Sequence, residues 1–481
     1  MSNAGPGRTK APRCQCSAVA VAGARDRPAR MRQAVVPEDA SGVARAVNHL
    51  AWPVLLENLF QSGMATVDMI MVGRLGPDAI AGVGTAAQVI WVMQAAITAI
   101  TTGTTVLVAR SFGAGEHEQA DRVVKQSLLL GLLVSALFAL AGLFLSHPLI
   151  AALGADADVT YLGGTYLQIV AANGIVMVMM LVVSGALRGA GDTRTPMAVT
   201  GSINIINIIA AYVLIFGKLG LPPMGVAGAA WGATFARAVG TLVLLGSMLR
   251  KRAVLSIRGW GGWRPELALT RRLLRLGLPS MLEQLLLSGG ALLYGAIAIG
   301  LGTATYATQR ITFQAISYSF MPGMAFAMSA TAMMGQCLGA RRRDLGEKAS
   351  AYATRMAIIW MTLMATVMAV FGRSMMRLFT DDLEIIEMGA RALIVLAFSQ
   401  PFQAIGQVLA GSLRGAGDTR FPMIATFIGI WFVRVPLGYL FGPVLGWGLS
   451  GIYIANVLDG IVRAAANYWR YRSRRWHSIR V

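Results

Sequence analysis

Charge is scarce in this chain. Only 13% of its 481 residues are Asp, Glu, Lys or Arg, and the mean hydropathy is +0.60, whereas soluble globular proteins carry about 25% charged residues. Apolar runs approaching the ~20 residues that one membrane span needs recur along the sequence. Because lipid offers the backbone no hydrogen bonds, such runs must be helical. The sequence therefore predicts an all-α integral membrane protein.

Acidic residues are the rarer of the two signs, with 22 Asp and Glu against 42 Lys and Arg, a formal charge of +20. Nucleic-acid binding is one reading of that excess. However, the basic residues concentrate in the two tails and in alternate loops, and the intervening loops hold only Arg74, Lys218, Arg373 and Arg377. This alternation predicts an even number of spans with both termini in the cytoplasm. We expect contacts with anionic membrane lipid and no nucleic-acid partner.

Cysteine and histidine are scarce too. Cys14 and Cys16 fall in the N-terminal tail, Cys337 falls at a span end, and the four histidines lie in loops, the tail or span ends. These positions predict no disulfide, no metal site and no cofactor. The sequence also lacks a Walker A motif and a G-x-S-x-G elbow, which argues against an ATP-driven pump and a hydrolase. An enzyme or a pure scaffold is therefore a minor alternative.

The hydrophobic pattern predicts twelve spans and five segments. The segments are a disordered basic tail at 1–44, a first lobe at 45–249, a cytoplasmic linker at 250–271, a second lobe at 272–470 and a basic tail at 471–481. No signal peptide is visible, and Met31 is a candidate start. The spans are 48–72, 79–108, 121–145, 161–186, 196–217, 225–249, 272–300, 305–336, 349–371, 385–412, 421–441 and 448–469.

An internal repeat organises these spans. Residues 185–197 read GALRGAGDTRTPM and residues 411–423 read GSLRGAGDTRFPM, 226 positions later. The same offset relates Pro53 to Pro279 and Glu57 to Glu283 without a gap. A duplication of six spans gives two halves of the same orientation, related by an axis along the membrane normal. We expect two lobes around a central cleft, with the Gly-rich loops as tight turns rather than phosphate sites.

Carboxylates inside the spans are candidate functional groups because burying a charge in lipid is costly. Glu57 and Glu283 recur in both halves, so they serve either as polar links to backbone or Arg, or in transport. Asp68 is different, since Tyr294 occupies the matching position. It lies about 22 Å along the helix from Pro53, which can kink that helix. Burial favours the protonated form of a carboxyl group, as a proton-exchanging site requires.

The second half carries more arginines. Asp459 is expected to pair with Arg434, and Arg310 and Arg391 also lie within spans. The exchangeable cation is therefore predicted to bind in the first lobe. Methionine side chains adapt to varied ligands, and the candidates for lining the cleft are Met177, Met179, Met180, Met321 and Met324.

Several segments resemble the multidrug and toxic compound extrusion (MATE) family. They are the first span LAWPVLLENLFQSGMATVDMIMVGRLG, the eighth span ATQRITFQAISYSFMPGMAFAMSATAMMGQCLGA, and the two LRGAGDT loops. The resemblance spans roughly 45–470. It implies a V-shaped pair of lobes, alternating access, and export of organic cations in exchange for protons or sodium. It places Asp68 as the first-helix coupling acid, Asn207 as the fifth-span Asn of the same pocket, and Thr234 as a sixth-span hydroxyl.

The chain also departs from the family pattern. The second acid of the pocket falls at Ala211, and the acids of a sodium-binding branch fall at Leu287 and Gln403. A proton is therefore the favoured coupling ion. The expected coupling residues are Asp68, Asn207, Thr234 and Pro53, and the expected cleft residues are Glu57, Glu283, Gln309, Gln403, Met177 and Met321.

The predicted protein is thus a monomeric efflux antiporter for drugs or metabolites in a bacterial inner membrane. A lipid-linked saccharide flippase of related architecture is the main alternative. A cationic cavity formed by Arg310, Arg391 and Arg434 would favour that alternative.

Overall fold

The computed structural model describes residues 42–250 and 254–479, and this part of the chain is helical, with no β-strand. The helices are α1 Val43–Gly73, α2 Pro77–Gly113, α3 His117–Ala152, α4a Ala157–Ala172, α4b Gly174–Gly189, α5 Arg194–Phe216, α6 Gly225–Leu249, α7 Leu267–Gly300, α8 Thr303–Gly339, α9 Arg343–Val370, α10 Leu383–Gly415, α11 Arg420–Val444 and α12 Gly448–Arg472. A short helix, Gly372–Arg377, follows α9, and a 3-10 turn, Arg475–Ser478, follows α12.

These helices form twelve membrane spans, as predicted. In the described ranges, nine helices are long and apolar enough to cross a membrane, and α4a with α4b, bent by 55°, makes a tenth. The other two, α1 and α8, have 31 and 37 residues, which is ample length. They are less apolar because they carry buried polar side chains such as Glu57 and Gln309.

The duplication is visible in the helix boundaries. Both ends of α2 map onto both ends of α8 with an offset of 226, and 157–189 maps in the same way onto α10. Contacts repeat as well: the hydroxyl of Thr105 donates to the carbonyl of Gly185, and that of Thr331 donates to the carbonyl of Gly411, both at 2.9 Å. The chain therefore forms two homologous six-helix lobes, an N-lobe of α1–α6 and a C-lobe of α7–α12.

The two LRGAGDT loops are tight turns. Gly191 and Gly417 have φ values of +91° and +93°, which only glycine adopts without strain. Asp192 then accepts a hydrogen bond from the backbone N–H of Thr195, at 3.0 Å, at the start of α5. We call the end of the bundle that carries the loops 113–117, 189–194, 339–343 and 415–420 the basic face.

The lobes cross near the basic face. A Cβ at Gly113 would overlap the carbonyl of Gln336, and a Cβ at Gly339 would overlap the carbonyl of Arg110. These two contacts are equivalent under the repeat, so α2 and α8 cross about a local twofold axis. The Ser329 hydroxyl also donates to the Val47 carbonyl across the lobes, at 3.1 Å. The lobes thus meet in the half of the bundle nearest the basic face and form a V around a central cleft.

The segments outside the spans differ from their predicted bounds. Helix α7 begins at Leu267, inside the predicted linker, and the linker backbone is bound by Lys125, whose ammonium donates to the carbonyls of Arg258, Gly259 and Gly261 at 2.6–3.2 Å. The described part of the C-terminal tail, up to residue 479, is packed at Trp476, which is 1% exposed. The predicted disordered tail lies outside the described residues up to position 41.

The crossing predicts that alanine substitutions at two glycines of α2 change the stability of the protein differently. Gly113→Ala should lower the melting temperature of the detergent-solubilised protein, because the added methyl overlaps backbone of the other lobe; overpacking typically costs about 1–3 kcal/mol. Gly84→Ala is the matched control, since no atom lies within 4 Å of a Cβ there. Equal melting temperatures for the two variants would contradict the close crossing.

Candidate ion-coupling site

Helix α1 carries the first site residue and runs unbroken through a proline. Pro53 has no N–H, so the carbonyl of His49, four residues earlier, lacks its usual helical partner. The hydroxyl of Thr193, from the first LRGAGDT loop, approaches that carbonyl at 3.5 Å. Pro53 thus lies beside the basic face, and Asp68 lies about four turns further along the same helix.

Asp68 and Asn207 form a direct contact between α1 and α5. The Asn207 amide nitrogen donates to Asp68 Oδ1 at 2.7 Å. Asn207 is fully buried, whereas Asp68 is half-buried. The Asn207 amide oxygen is also buried and has no hydrogen-bond partner within the described residues. The pair therefore has one unused buried acceptor directly beside a carboxylate.

The surroundings of Asp68 are mostly apolar. Met71, Ala211 and Ile215 belong to a buried cluster of α1, α5 and α6 next to the site. Arg237 of α6 and Tyr166 of α4a interact electrostatically with the Asp68 carboxylate. In the described part of the chain, however, Asp68 has no ion pair within 4.0 Å. Neither Arg237 nor Tyr166 is among the coupling residues that the sequence predicts.

The structure brings together two of the four predicted coupling residues. Thr234 is buried on α6, one turn before Arg237, but no hydrogen bond in the described ranges joins it to Asp68 or Asn207. Pro53 is remote from the pair along α1. The roles of Thr234 and Pro53 in coupling stay predictions.

The matching place in the C-lobe has a different arrangement. Tyr294, at the position of Asp68, donates its hydroxyl to the Ile452 carbonyl at 2.6 Å. The carboxylate is on α12 instead: Asp459 is fully buried and forms ion pairs with Arg434, at 2.5 Å, and Arg463, at 2.9 Å. The predicted pairing of Asp459 with Arg434 is confirmed. Arg463 is a second partner that was not predicted, although its i,i+4 spacing from Asp459 on α12 is a usable signal.

Polar side chains extend this C-lobe cluster. Gln403 accepts a hydrogen bond from Arg463 at 3.1 Å, and its own amide donates to Asn456 at 3.5 Å. Gln309 is buried and donates to the Tyr294 carbonyl at 3.4 Å. Both glutamines are thus tied to neighbouring helices, and a role for them in the cleft stays a prediction.

The repeated glutamates form a repeated ion pair. Glu57 binds Arg188 at 3.0 Å, and Glu283 binds Arg414 at 2.8 Å, with the same separation of 131 residues. Each arginine comes from an LRGAGDT loop motif, so each pair joins the first helix of a lobe to the end of its fourth. The interpretation of both glutamates as links to Arg is confirmed, while their transport role stays a prediction.

The predicted cleft methionines differ in exposure. Met177 packs in the N-lobe core at 6% exposure, whereas Met321 of α8 is half-buried. The role of both residues in lining the cleft stays a prediction.

Comparison with known proteins decides the family. The MatE family model matches residues 53–213 and 279–440, one copy in each lobe, and the two matches begin 226 residues apart. The chain belongs to the MATE family. Its similarity to the probable multidrug resistance protein NorM of Thermotoga maritima is 31% identity over 451 residues, which covers 92% of this chain and 95% of that protein. The probable NorM of Bradyrhizobium diazoefficiens is 30% identical over 443 residues, covering 88% and 92%.

Solved structures show the same architecture. One described as the outward-facing conformation of a multidrug resistance MATE family transporter aligns with a TM-score of 0.86 at 25% identity, covering 93% of this chain and 98% of that one. A transporter of the MOP superfamily from Pyrococcus furiosus, described as having reversed pocket polarity, aligns with a TM-score of 0.84 at 25% identity, covering 92% and 96%. This MATE chain is therefore a membrane-spanning multidrug efflux transporter of small molecules.

The C-lobe cluster predicts a stability defect. Asp459→Asn should lower the melting temperature of the purified protein and its yield from membranes, because it leaves Arg434 and Arg463 as neighbouring buried cations; breaking a buried pair costs about 3–5 kcal/mol. Asp68→Asn removes no ion pair and should melt within a few degrees of wild type. A thermal melt that ranks Asp68→Asn as the less stable variant would contradict this assignment.

Proposed function

We propose that this MATE transporter exports lipophilic, mostly cationic organic compounds in exchange for protons, and that Asp68 carries the exchanged proton. The observation behind the proposal is that Asp68 and Asp459, both within spans, are bound differently. Asp459 forms ion pairs with two guanidinium groups, and binding a proton there would disrupt both. Asp68 has a neutral amide partner, so it is free to change its protonation state.

Asn207 suits both states of Asp68. With the carboxylate charged, the Asn207 amide donates to it, as observed. A protonated carboxyl group becomes a hydrogen-bond donor. Once the Asn207 amide rotates, its unpartnered oxygen can accept a hydrogen bond from the protonated Asp68 carboxyl group. Both states are then satisfied by the same pair of side chains, which removes the penalty that an unmade buried hydrogen bond would otherwise impose.

Exchange follows from competition for one negative charge. A cationic compound bound in the cleft is attracted to ionised Asp68, and a proton arriving at Asp68 cancels that attraction. Alternation of the V-shaped lobes then carries compound and proton in opposite directions. In this proposal the protein acts as a monomer in the bacterial inner membrane, the basic face and both termini lie in the cytoplasm, and the substrates are drugs or metabolites. The proposal includes no cofactor and no nucleic-acid partner.

Sodium is the second candidate for the coupling ion. The C-lobe position for a sodium-binding acid is Gln403, and its side-chain oxygen accepts a hydrogen bond from Arg463. A guanidinium at 3.1 Å repels a second cation, so this position argues for the proton. In the N-lobe, Ala211 stands at the position of the second pocket acid and has no ligand in its side chain. The single carboxylate of Asp68 then supplies fewer anionic ligands than a sodium ion favours.

The flippase alternative needs a cationic central cavity. Arg434 is engaged by Asp459, and Arg391 lines a separate cavity of about 520 Å³ beside the loop between α11 and α12. Arg391 and Arg434 therefore lie in different surroundings. This arrangement favours export of cations over handling of a pyrophosphate-linked lipid.

Transport assays on Asp68 variants test the proposal. In proteoliposomes with a clamped pH gradient, Asp68→Asn should abolish gradient-driven exchange of a cationic dye, because an amide cannot carry a proton. Asn207→Ala should reduce the rate less, because it removes only a hydrogen-bond partner. Asp78→Asn, at the exposed start of α2, is the matched control and should transport normally.

The same vesicles separate the alternatives. Dye exchange driven by a sodium gradient alone at equal pH would show that the coupling ion is sodium rather than the proton. Full proton-driven transport by Asp68→Asn would show that the coupling site is not at Asp68 in the N-lobe. Transport of a lipid-linked saccharide without dye exchange would favour the flippase.

A further inference from the structure

A cavity of about 740 Å³ opens on the basic face at the seam between the lobes. Its charged lining comes from the end of α2, with Arg110 and nearby Glu116, from the start of α7, with Arg272, and from the loop between α8 and α9, with Arg341, Arg343 and Asp344. The size falls in the range of small-molecule sites. Proton-coupled transport, as proposed above, makes no use of this cavity.

The lining has an excess of positive charge. Four guanidinium groups face two carboxylates, and Asp344 is engaged by Arg342, outside the cavity, at 3.6 Å. Among the described residues, none of the four lining arginines forms an ion pair within 4.0 Å. Arg110 interacts unfavourably with both Arg272 and Arg343, so the two lobes present like charges to each other at the seam.

Two further observations indicate that these arginines form a ligand-binding site. One terminal nitrogen of Arg110 is buried and has no hydrogen-bond partner in the described structure, a state that is costly for a charged group. Arg341 has a left-handed φ of +59°, which strains any residue with a Cβ. The equivalent residue of the N-lobe is Gly115, with φ +77°, so the C-lobe carries strain that its own repeat avoids.

We propose that this cavity binds a phosphate-type anion that bridges Arg110 of the N-lobe to Arg272 and Arg341 of the C-lobe. Arginine presents paired donors that match phosphate oxygens, and the negative charge of a bound anion offsets the repulsion across the seam. Because the ligand contacts both lobes, it holds them together at the basic face. The phosphate belongs either to a soluble compound or to the headgroup of an anionic lipid.

Titration calorimetry with inorganic pyrophosphate, on the full chain in neutral detergent, tests the soluble source. We expect one pyrophosphate site per chain. In Arg110→Gln and in Arg272→Gln the affinity should fall by roughly tenfold or more relative to wild type, which is the loss that one charge-assisted contact produces. Lys348→Gln is the matched control, an exposed cation on α9 outside the cavity, and should bind as wild type does.

Arg341→Gly separates binding from folding. This variant restores the residue that the N-lobe uses at the same turn, so without ligand it should melt at or above the wild-type temperature while its pyrophosphate affinity falls at least tenfold. A structural role for Arg341 would instead lower the melting temperature.

Nanodiscs test the lipid source. If phosphatidylglycerol, compared with phosphatidylcholine, raises the melting temperature of wild type and Lys348→Gln but not of Arg110→Gln, the headgroup is the ligand and the proposal stands. Three results would overturn it: neither probe acts on wild type; Lys348→Gln loses as much affinity as Arg110→Gln; or only one lobe's arginines affect binding.

Discussion

A buried charge in a lipid-embedded bundle must be neutralised by a partner, and this constraint governs the structure. Glu57 and Glu283 meet it with arginines from the loops that end the fourth helix of each lobe. Asp459 meets it with two arginines. Apart from Asp459–Arg463, which lies within α12, each of these ion pairs fixes the relative position of two helices, because separating them would leave a charge uncompensated. Asp68 is only half-buried and its hydrogen-bond partner is a neutral amide, and that difference makes it suited to exchange.

The two lobes show how a duplicated framework supports two different interiors. Arg237 and Arg463 occupy equivalent positions, and each interacts with one aspartate. In the N-lobe that aspartate is on α1 and only half-buried. In the C-lobe it is on α12, fully buried, and Tyr294 takes the place on the first helix. The C-lobe cluster is thereby closed by ion pairs, whereas the N-lobe keeps a carboxylate that can respond to protons or cations.

The seam between the lobes has its own requirements. Gly113 and Gly339 allow α2 and α8 to approach through their backbones, and this close crossing sets where the V closes. The same approach brings arginines of both lobes to one cavity. Close packing and charge repulsion therefore act at the same place, so an anion bound there would affect the balance between the conformations of the transporter.

The sequence alone determined the broad architecture. Scarce charge and recurring apolar runs predict helices in lipid, and the gapless offset of 226 predicts two six-span halves whose helices begin and end at matching positions. The architectural inferences succeeded because hydropathy and repeats are linear properties of the chain. The sequence also paired Asp459 with Arg434, and the coupling roles of Asp68 and Asn207, the latter taken from the family resemblance, stay predictions.

Only the tertiary structure decided which polar groups meet. The loop arginines that bind Glu57 and Glu283 lie 131 residues away from them, and Arg463 adds a second cation to Asp459. The packed Trp476 and the shared arginine cavity also depend on how the lobes approach each other. Side-chain partners in a bundle are set by helix rotation and crossing, and these depend on packing between distant segments that no local pattern encodes.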